Sequence, residues 1–373
     1  MGTPARTVHG PRPRGGCGGL RRGSSGGRGP SGLPWQGARQ SVTTAATEQE
    51  TGPEEERHEC RSGKAESGRP SARPPARRAP FHLSAAQVQF FDEHGYLLLR
   101  QWVTGELLAR LQAAGDAWID DGQRQPPGDD YNFARRAHGE VLFRVNYLHD
   151  RGQPASLELL GSPQVLGVAE SLCGRNFVPT YESMVFKQTG DGEQIPWHQD
   201  AVHPRAYRIF NFDLYLDRSV IGGGALRVVP GTQRRVLDVC EIRDTYGWDA
   251  PGVLQLEMEP GDVLLHDVMV LHGSESTLGH ARRRTVYYEF RAAEEILADC
   301  PWDREWIDRR LRLVPMGLRH HARAFPGAPQ FGWQVSPEFR PVPLGDEGAE
   351  LKVAHLVHTS GSYCSPGDAI RSS

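Results

Sequence analysis

The stretch Trp197-His198-Gln199-Asp200, with Leu271-His272-Gly273-Ser274 much later, decides how this chain is interpreted. Residues two apart in a β-strand point to the same face, so His198 and Asp200 can offer an imidazole nitrogen and a carboxylate oxygen to one ion. His272 would add a second imidazole from a distant strand. Two histidines and one carboxylate on one face of an octahedron leave three positions open, a pattern typical of non-heme Fe(II) sites.

Arg283 lies eleven residues beyond His272, at the start of a β-prone run that extends to Phe290. A planar guanidinium can bind a carboxylate with two parallel hydrogen bonds. Arg283 is therefore a candidate for gripping a dicarboxylic co-substrate. Strand alternation places Arg282 and Arg284 on the opposite face, where we expect solvated surface charges.

The chain resembles the phytanoyl-CoA dioxygenase family of Fe(II)- and 2-oxoglutarate-dependent oxygenases over roughly residues 82–291. A lone His-X-Asp would be weak support, but several blocks occur in the family's order and spacing. The resemblance is carried by Gly95-Tyr96-Leu97-Leu98-Leu99, the two histidine motifs quoted above, Gly224-Ala-Leu-Arg-Val-Val-Pro230-Gly231-Thr232, Pro260-Gly261-Asp262-Val263 and Arg283.

The resemblance implies a double-stranded β-helix, or jelly roll, with a metal at one mouth. It implies that Fe(2+) is bound by His198, Asp200 and His272. It also implies that 2-oxoglutarate is the co-substrate, with Arg283 and Ser274 holding its distal carboxylate. Lys187, at the end of the strand before the metal motif, is a further candidate for 2-oxoglutarate, although an exposed lysine is an equal alternative.

The implied reaction consumes O2 and releases succinate and CO2 while a C–H bond of a small molecule is hydroxylated. Halogenating relatives carry a small residue at the carboxylate position, so Asp200 favours hydroxylation. Desaturation and cyclisation stay open. Two other classes of function also stay open: a zinc-dependent hydrolase or isomerase using the same three ligands, and a non-catalytic jelly-roll binding protein.

Two other histidines, His203 and His266, lie near the motifs and are alternatives as metal ligands or pocket residues. His266 shares strand parity with His272, but six residues of extended chain span roughly 20 Å, so both cannot reach one ion from a straight strand. We therefore expect His266 to pack inside or line the wall. Substrate identity is not predicted; residues expected to shape the pocket are Arg136, Arg144, Asn146, Tyr147, His203, Arg205 and Arg208.

The fold class is predicted as mainly β with flanking helices (α+β). A capping box from Ser84 to Gln87 begins a helix that ends at Gly95. Further helices are predicted at 104–118, 163–172 and 302–313, and a polar loop over the site at 121–141. Short β-prone runs separated by Gly, Pro and Asp indicate a sandwich or jelly roll; they are 178–187, 209–216, 225–229, 253–258, 262–270 and 284–291.

Three regions are predicted. Residues 1–80, rich in Gly, Pro, Arg and Ser, are expected to be a disordered extension because they cannot bury enough apolar surface. Residues 81–345 would form the jelly-roll domain, and 346–373 a C-terminal segment whose last part is disordered. The extension carries 14 basic and 7 acidic residues, a charge of +7, which leaves −10 for the remainder of a chain of net charge −3.

Charge, apolar run length and cysteine spacing limit the classes of partner and the compartment expected for this chain. The acidic body argues against nucleic-acid binding, and no apolar run is long enough to span a membrane. The six cysteines have no disulfide-like spacing, which fits a reducing compartment. We expect a cytoplasmic monomer or weak homodimer acting on a small molecule, with organelle targeting through the Arg-rich N-terminus as the alternative.

Overall fold

The computed structural model describes residues 81–136, 139–187, 193–203, 206–277, 282–299, 302–353 and 361–364. The predicted extension over residues 1–80 and the end of the C-terminal segment, 365–373, lie outside the described residues. Both stay predictions, as do the proposed domain boundaries.

The first helix begins and ends where its capping residues predict. The Ser84 hydroxyl accepts from the Gln87 amide, and the Gln87 side chain accepts from the Ser84 amide, which satisfies two donors that a helix leaves unpaired. Gly95 ends the helix in the left-handed region at φ 76°. The helices are α1 Ala85–His94, α2 Gly105–Gly122, α3 Ala155–Leu160, α4 Pro163–Cys173, α5 Val239–Tyr246, α6 Ala293–Asp299, α7 Arg304–Leu311, α8 Leu313–Ala324 and α9 Glu347–Leu351.

The strands follow the β-prone runs closely from residue 177 onward. They are β1 Tyr96–Leu99, β2 Tyr131–Arg136, β3 Gly139–Asn146, β4 Phe177–Lys187, β5 Ile195–Gln199, β6 Phe210–Tyr215, β7 Leu226–Val229, β8 Leu254–Leu256, β9 Val263–Asp267, β10 Leu271–Ser274, β11 Arg283–Ala292 and β12 Ser362–Tyr363.

Two antiparallel sheets form the core. One has the order β1-β9-β6-β11-β4-β3-β2 and the other β12-β5-β10-β7-β8. From β4 to β11 the chain passes back and forth between the sheets, with only the consecutive pair β7 and β8 staying in one sheet. This is the strand order of a double-stranded β-helix. The predicted α+β class with a jelly-roll core is confirmed.

The seven-stranded sheet has two chemically different faces. Alternate residues of β6 and β11, such as Phe212, Leu214 and Tyr288, pack with helices α2, α3 and α4 in the main hydrophobic core. The residues between them face the five-stranded sheet; Tyr215, for example, packs with Leu226. Strand alternation thus separates a helix-covered outer face from an inner face that lines the jelly roll.

Two local predictions differ from the structure. Residues 123–130 lie outside helices and strands, as the loop predicted at 121–141 requires, but α2 continues to Gly122, and β2 and β3 pair with each other on the edge of β4. The run 262–270 is not one strand. β9 ends at Asp267, residues 268–270 form a turn, and the chain enters the other sheet as β10 at Leu271.

The cysteine prediction is also corrected. Cys240 on α5 and Cys364 after β12 form a disulfide across a sequence separation of 124 residues, with 4.7 Å between their Cα atoms. The argument for a reducing compartment therefore loses its basis. Part of the predicted C-terminal segment is ordered, since Ser362 and Tyr363 form β12 and pair with β5.

Within the described ranges, the structure contains no helix whose length and apolar character together would suit it to crossing a bilayer.

Candidate metal and co-substrate site

Neighbouring strands of the five-stranded sheet bring the three predicted metal ligands together. His198 on β5 pairs directly with His272 on β10, and their ring centroids lie 4.1 Å apart. Asp200 follows β5 by one residue, and its Oδ1 lies 3.2 Å from Nε2 of His198 and 3.7 Å from Nε2 of His272. Ligand atoms of the three residues all lie within 4.8 Å of one another. This group could hold one metal ion.

Backbone carbonyls set the orientation of both imidazoles. Nδ1 of His198 lies 2.8 Å from the Pro196 carbonyl oxygen, and Nδ1 of His272 lies 2.9 Å from that of Val270. A carbonyl can only accept, so each Nδ1 carries the proton and each Nε2 presents a lone pair toward Asp200. Burial, reinforced by the nearby His198, lowers the pKa of His272 to about 3, which keeps it neutral as a metal ligand requires.

The second oxygen of Asp200 is held by residues of the other sheet. Asp200 Oδ2 accepts from Nδ2 of Asn211 at 3.0 Å and lies 3.1 Å from Nε2 of His266. Nδ1 of His266 lies 2.7 Å from Oδ2 of the fully buried Asp213. A hydrogen-bonded chain therefore runs from Asp213 through His266 to the outer oxygen of Asp200, leaving Oδ1 for an ion.

The separation expected between His266 and His272 is wrong. Their ring centroids lie only 4.7 Å apart, because the turn after β9 carries His272 back over the sheet that holds His266. His266 is buried, as expected, but its Nε2 is engaged with Asp200 and it is not part of the three-residue group.

Buried charges shift the pKa of both His266 and Asp200. Burial would lower the pKa of His266, yet the carboxylates of Asp213 and Asp200 outweigh it and raise that pKa to about 10. Burial likewise would raise the pKa of Asp200, but the surrounding imidazoles, beginning with His272, hold it well below its usual value. The site is therefore built around an ionised Asp200 that accepts a hydrogen bond from an imidazolium.

Arg283 and Ser274 lie on opposite walls of the same interior. Arg283, at the start of β11, is 2% exposed and donates from one terminal nitrogen to the Gly224 carbonyl. Ser274 lies two residues after His272 on the same face of β10 and is fully buried. Lys187 pairs with Arg283 across β4 and β11, is buried rather than exposed, and donates to the Glu275 carbonyl at 2.6 Å.

Several buried polar atoms on the strands near Arg283 have no hydrogen-bond partner among the described residues. They include Nε of Arg283, Oγ of Ser274, the hydroxyl of Tyr215 and Oγ1 of Thr285. Buried donors without partners cost free energy and are rare in folded proteins. Their concentration here indicates a place built for a polar ligand with acceptor atoms.

The expectation that Arg284 is a solvated surface charge is wrong. It faces away from Arg283, as alternation predicts, but it is 3% exposed and pairs with Asp217 at 2.8 Å and Asp116 at 2.9 Å. The outer face of β11 is covered by α2, so this arginine is a buried structural residue. Arg282 is exposed, as expected, and pairs with Asp116 at 2.6 Å.

Four of the seven residues expected to shape the pocket fall into three groups. Arg144 is buried in the interior. Burial raises the pKa of Tyr287 and of Tyr363, and the positive charge of Arg144 offsets part of that rise. Asn146 instead bonds to Asn132 and Tyr181, and Arg208 pairs with Asp92 at 2.6 Å beside a separate cleft of about 1050 Å³. Arg205 lies outside the described residues.

Sequence reasoning missed Asn211, Asp213 and Tyr215 on β6. They alternate with Phe210, Phe212 and Leu214, and that alternation of polar with apolar residues was a usable signal for a strand with one polar face. It also missed Tyr363, whose ring stacks on His198 with 5.5 Å between centroids. No local pattern marks Tyr363, because its position depends on pairing between distant strands.

The predicted Pro-Gly-Thr turn is structural, as expected. Gly231 adopts φ 78°, and the Thr232 hydroxyl donates to the Val229 carbonyl at 2.6 Å while accepting from the Leu271 amide at 2.8 Å. It therefore ties the end of β7 to the start of β10, the strand that carries His272.

The chain is similar to known oxygenases. The family model described as phytanoyl-CoA dioxygenase (PhyH) matches residues 91–285, half of the chain. Peroxisomal phytanoyl-CoA dioxygenase of Rattus norvegicus is 24% identical over 241 residues, which cover 57% of this chain and 69% of the relative.

Two solved structures also match. AviO1 from Streptomyces viridochromogenes Tue57 is 25% identical with a TM-score of 0.51, covering 59% of this chain and 97% of AviO1. EvdMO1 is 28% identical with a TM-score of 0.51; the match covers 56% of this chain but only 50% of EvdMO1. The match to the family model, together with the site described above, establishes that this chain belongs to the phytanoyl-CoA dioxygenase family of iron- and 2-oxoglutarate-dependent dioxygenases.

Proposed function

We propose that this chain hydroxylates a C–H bond of a small molecule, consuming O2 and 2-oxoglutarate and releasing succinate and CO2. One observation carries the proposal: a His-Asp-His group faces a buried arginine and a buried serine, each with one donor atom that has no partner among the described residues. A zinc-dependent hydrolase would use the first half of this arrangement but would leave Arg283 and Ser274 unexplained.

The donor set suits Fe(II). His198 and His272 offer Nε2 lone pairs and Asp200 offers Oδ1, which gives two nitrogen ligands and one oxygen ligand on one side of an ion. Bound there, Fe(II) supplies the activation of O2 and the oxidation of the substrate. The protein's part is to orient the two imidazoles and to restrict Asp200 to one ligating oxygen.

Arg283 and Ser274 would hold the distal carboxylate of 2-oxoglutarate. Nε of Arg283 and Oγ of Ser274 are donors without partners, and a carboxylate has lone pairs enough to accept from both. Tyr215 and Thr285 are additional donors beside them. Lys187, which pairs with Arg283 across β4 and β11, would add positive charge beside it, and the Glu275 carbonyl oxygen holds its amine.

Asp200 favours hydroxylation over halogenation, since its carboxylate fills the position that a halide would need. Asn211 and His266 anchor the outer oxygen of this carboxylate. Arg144 and Tyr287 extend the interior beyond the site, and we propose that they border the substrate.

The test is a screen for succinate release. The protein is loaded with Fe(II) without oxygen, then exposed to O2 and 2-oxoglutarate with candidate acyl-CoA thioesters, amino acids and zwitterionic osmolytes. We expect one class to raise succinate release well above the substrate-free rate and to yield an equimolar alcohol. Turnover of a substrate by the zinc-loaded protein without O2 and 2-oxoglutarate would overturn the proposal in favour of a hydrolase. No 2-oxoglutarate binding and no succinate release under any condition would favour a non-catalytic protein.

A further inference from the structure

The strand β12 lies directly beside the metal motif. Ser362 pairs with Gln199 and Tyr363 with His198 on the outer edge of β5. His272, His198 and Tyr363 therefore stand side by side on three consecutive strands and share one face of the sheet. This strand lies outside residues 91–285, which match the family model.

Tyr363 contacts two of the three candidate ligands. Its ring lies nearly parallel to that of His198, with 14° between the ring planes, and its hydroxyl is 3.5 Å from the Asp200 carbonyl oxygen. The ring thus limits how far the His198 imidazole can tilt. It also borders the space next to the ligands on the side of β12.

Two residues of pairing do not hold a strand in place by themselves. Two further attachments of the described residues run to the segment around α5. Cys364 is bonded to Cys240, and the Ser362 hydroxyl donates to the Leu237 carbonyl at 3.0 Å. The disulfide is the only covalent link among these, and it lies one residue from Tyr363.

We propose that β12 is a wall of the active site, that Tyr363 is a positioning residue for His198, and that the Cys240–Cys364 disulfide keeps both in place. Reduction by a dithiol adds two electrons and two protons to the sulfur atoms. It yields two protein thiols and the cyclic disulfide of the reductant. The site then loses its wall and its support for His198. This inference rests on the proposed function in assigning the space beside Tyr363 to substrate.

The first experiment measures metal binding alone. Co(II) affinity is determined by calorimetry without 2-oxoglutarate for wild type, Cys364→Ser, Tyr363→Ala and Tyr363→Phe. Wild type is also measured after dithiothreitol treatment and anaerobic desalting. We expect weakening of several-fold or more in reduced wild type, Cys364→Ser and Tyr363→Ala, with most of the affinity restored by the ring of Tyr363→Phe. Cys173→Ser is the matched control, and its affinity should equal that of wild type.

A second measurement separates a local change from misfolding. Hydrogen exchange should rise in peptides covering β12 and β5 of reduced protein, while peptides from β6 and β11 stay protected. The KM for substrate should rise more than kcat falls. Unchanged Co(II) affinity together with unchanged exchange in β12 after reduction would overturn the inference, as would general loss of protection without a local effect.

These outcomes are distinguishable from failure of the proposed function. Lack of 2-oxoglutarate-dependent turnover in oxidised wild type would reject the dioxygenase assignment. Co(II) affinity and hydrogen exchange would still show whether β12 supports His198.

Discussion

Arg283 and Arg284 are neighbours on β11 with opposite roles. Arg284 points toward α2, where Asp217, Asp116 and the Gln112 carbonyl take its hydrogen bonds. Arg283 points into the jelly roll, where its Nε has no partner in the part of the chain that the structure describes. Both are almost fully buried. Burial alone therefore does not separate a structural arginine from a ligand-binding one; the state of the donors does.

The same division runs along β6. Phe212 and Leu214 face the helices and belong to the main core, whereas Asp213 and Tyr215 face the interior and leave Oδ1 and a hydroxyl without partners. One strand thus contributes packing free energy on one side and binding groups on the other. Substitutions on the two faces should therefore affect different measurements.

The largest effect should come from the candidate metal ligands of the five-stranded sheet. His272→Ala removes an Nε2 donor, so Fe(II) binding measured anaerobically should fall below detection and turnover to background. The melting temperature of the metal-free protein should change little, because the imidazole lines the mouth. His320→Ala, at an exposed contact with Glu347, is the control. Near-normal turnover of His272→Ala would contradict the ligand assignment.

The paired arginines come next. Arg283→Ala should raise the 2-oxoglutarate requirement on the order of a hundredfold or more, since two charge-assisted hydrogen bonds of about 1.5–3 kcal/mol each are lost. Arg283→Lys should restore only part of the affinity for 2-oxoglutarate, because an ammonium group lacks the planar fork of a guanidinium. Titration of 2-oxoglutarate against succinate formation is the measurement.

Arg284→Ala is the comparison variant for the outer face. It leaves Asp217 without its buried partner, so the free energy of unfolding should fall by about 3 kcal/mol while the 2-oxoglutarate requirement stays unchanged. Arg282→Ala should alter neither. The comparison fails if Arg284→Ala, and not Arg283→Ala, changes the 2-oxoglutarate requirement.

A smaller effect is expected where the two sheets meet. Asn211→Ala and His266→Gln loosen the outer oxygen of Asp200, and residues behind metal ligands typically contribute about 10–100-fold to metal affinity. Calorimetry with Co(II) measures this. Equal affinity in both variants and in wild type would show that Asp200 is oriented without them.

The smallest effect should follow deletion of residues 1–78. Their composition has no core-forming pattern, so kcat and the melting temperature should remain at the values of the full chain. A melting temperature lower by several degrees would show that the segment packs on the body.

Much of this fold and site could be predicted from local pattern. The capping box at Ser84 and the glycine at position 95 place α1, because helix ends have donors and acceptors that only nearby residues can satisfy. Alternation in a strand places His198 and Asp200, or Arg283 and Arg284, on known sides. These properties depend on residues within a turn or a strand of one another, so the sequence alone determined them.

Contacts between distant segments were decided by the tertiary structure. Strand alternation predicted which face of β11 carries Arg284, but not that a helix covers that face. It predicted that His266 and His272 share strand parity, but not the turn that brings the two rings together beside Asp200. The bond between Cys240 and Cys364, and the stacking of Tyr363 on His198, join segments more than 120 residues apart. Such pairs meet only when the sheets close, since no local preference of the backbone specifies a partner that far along the chain.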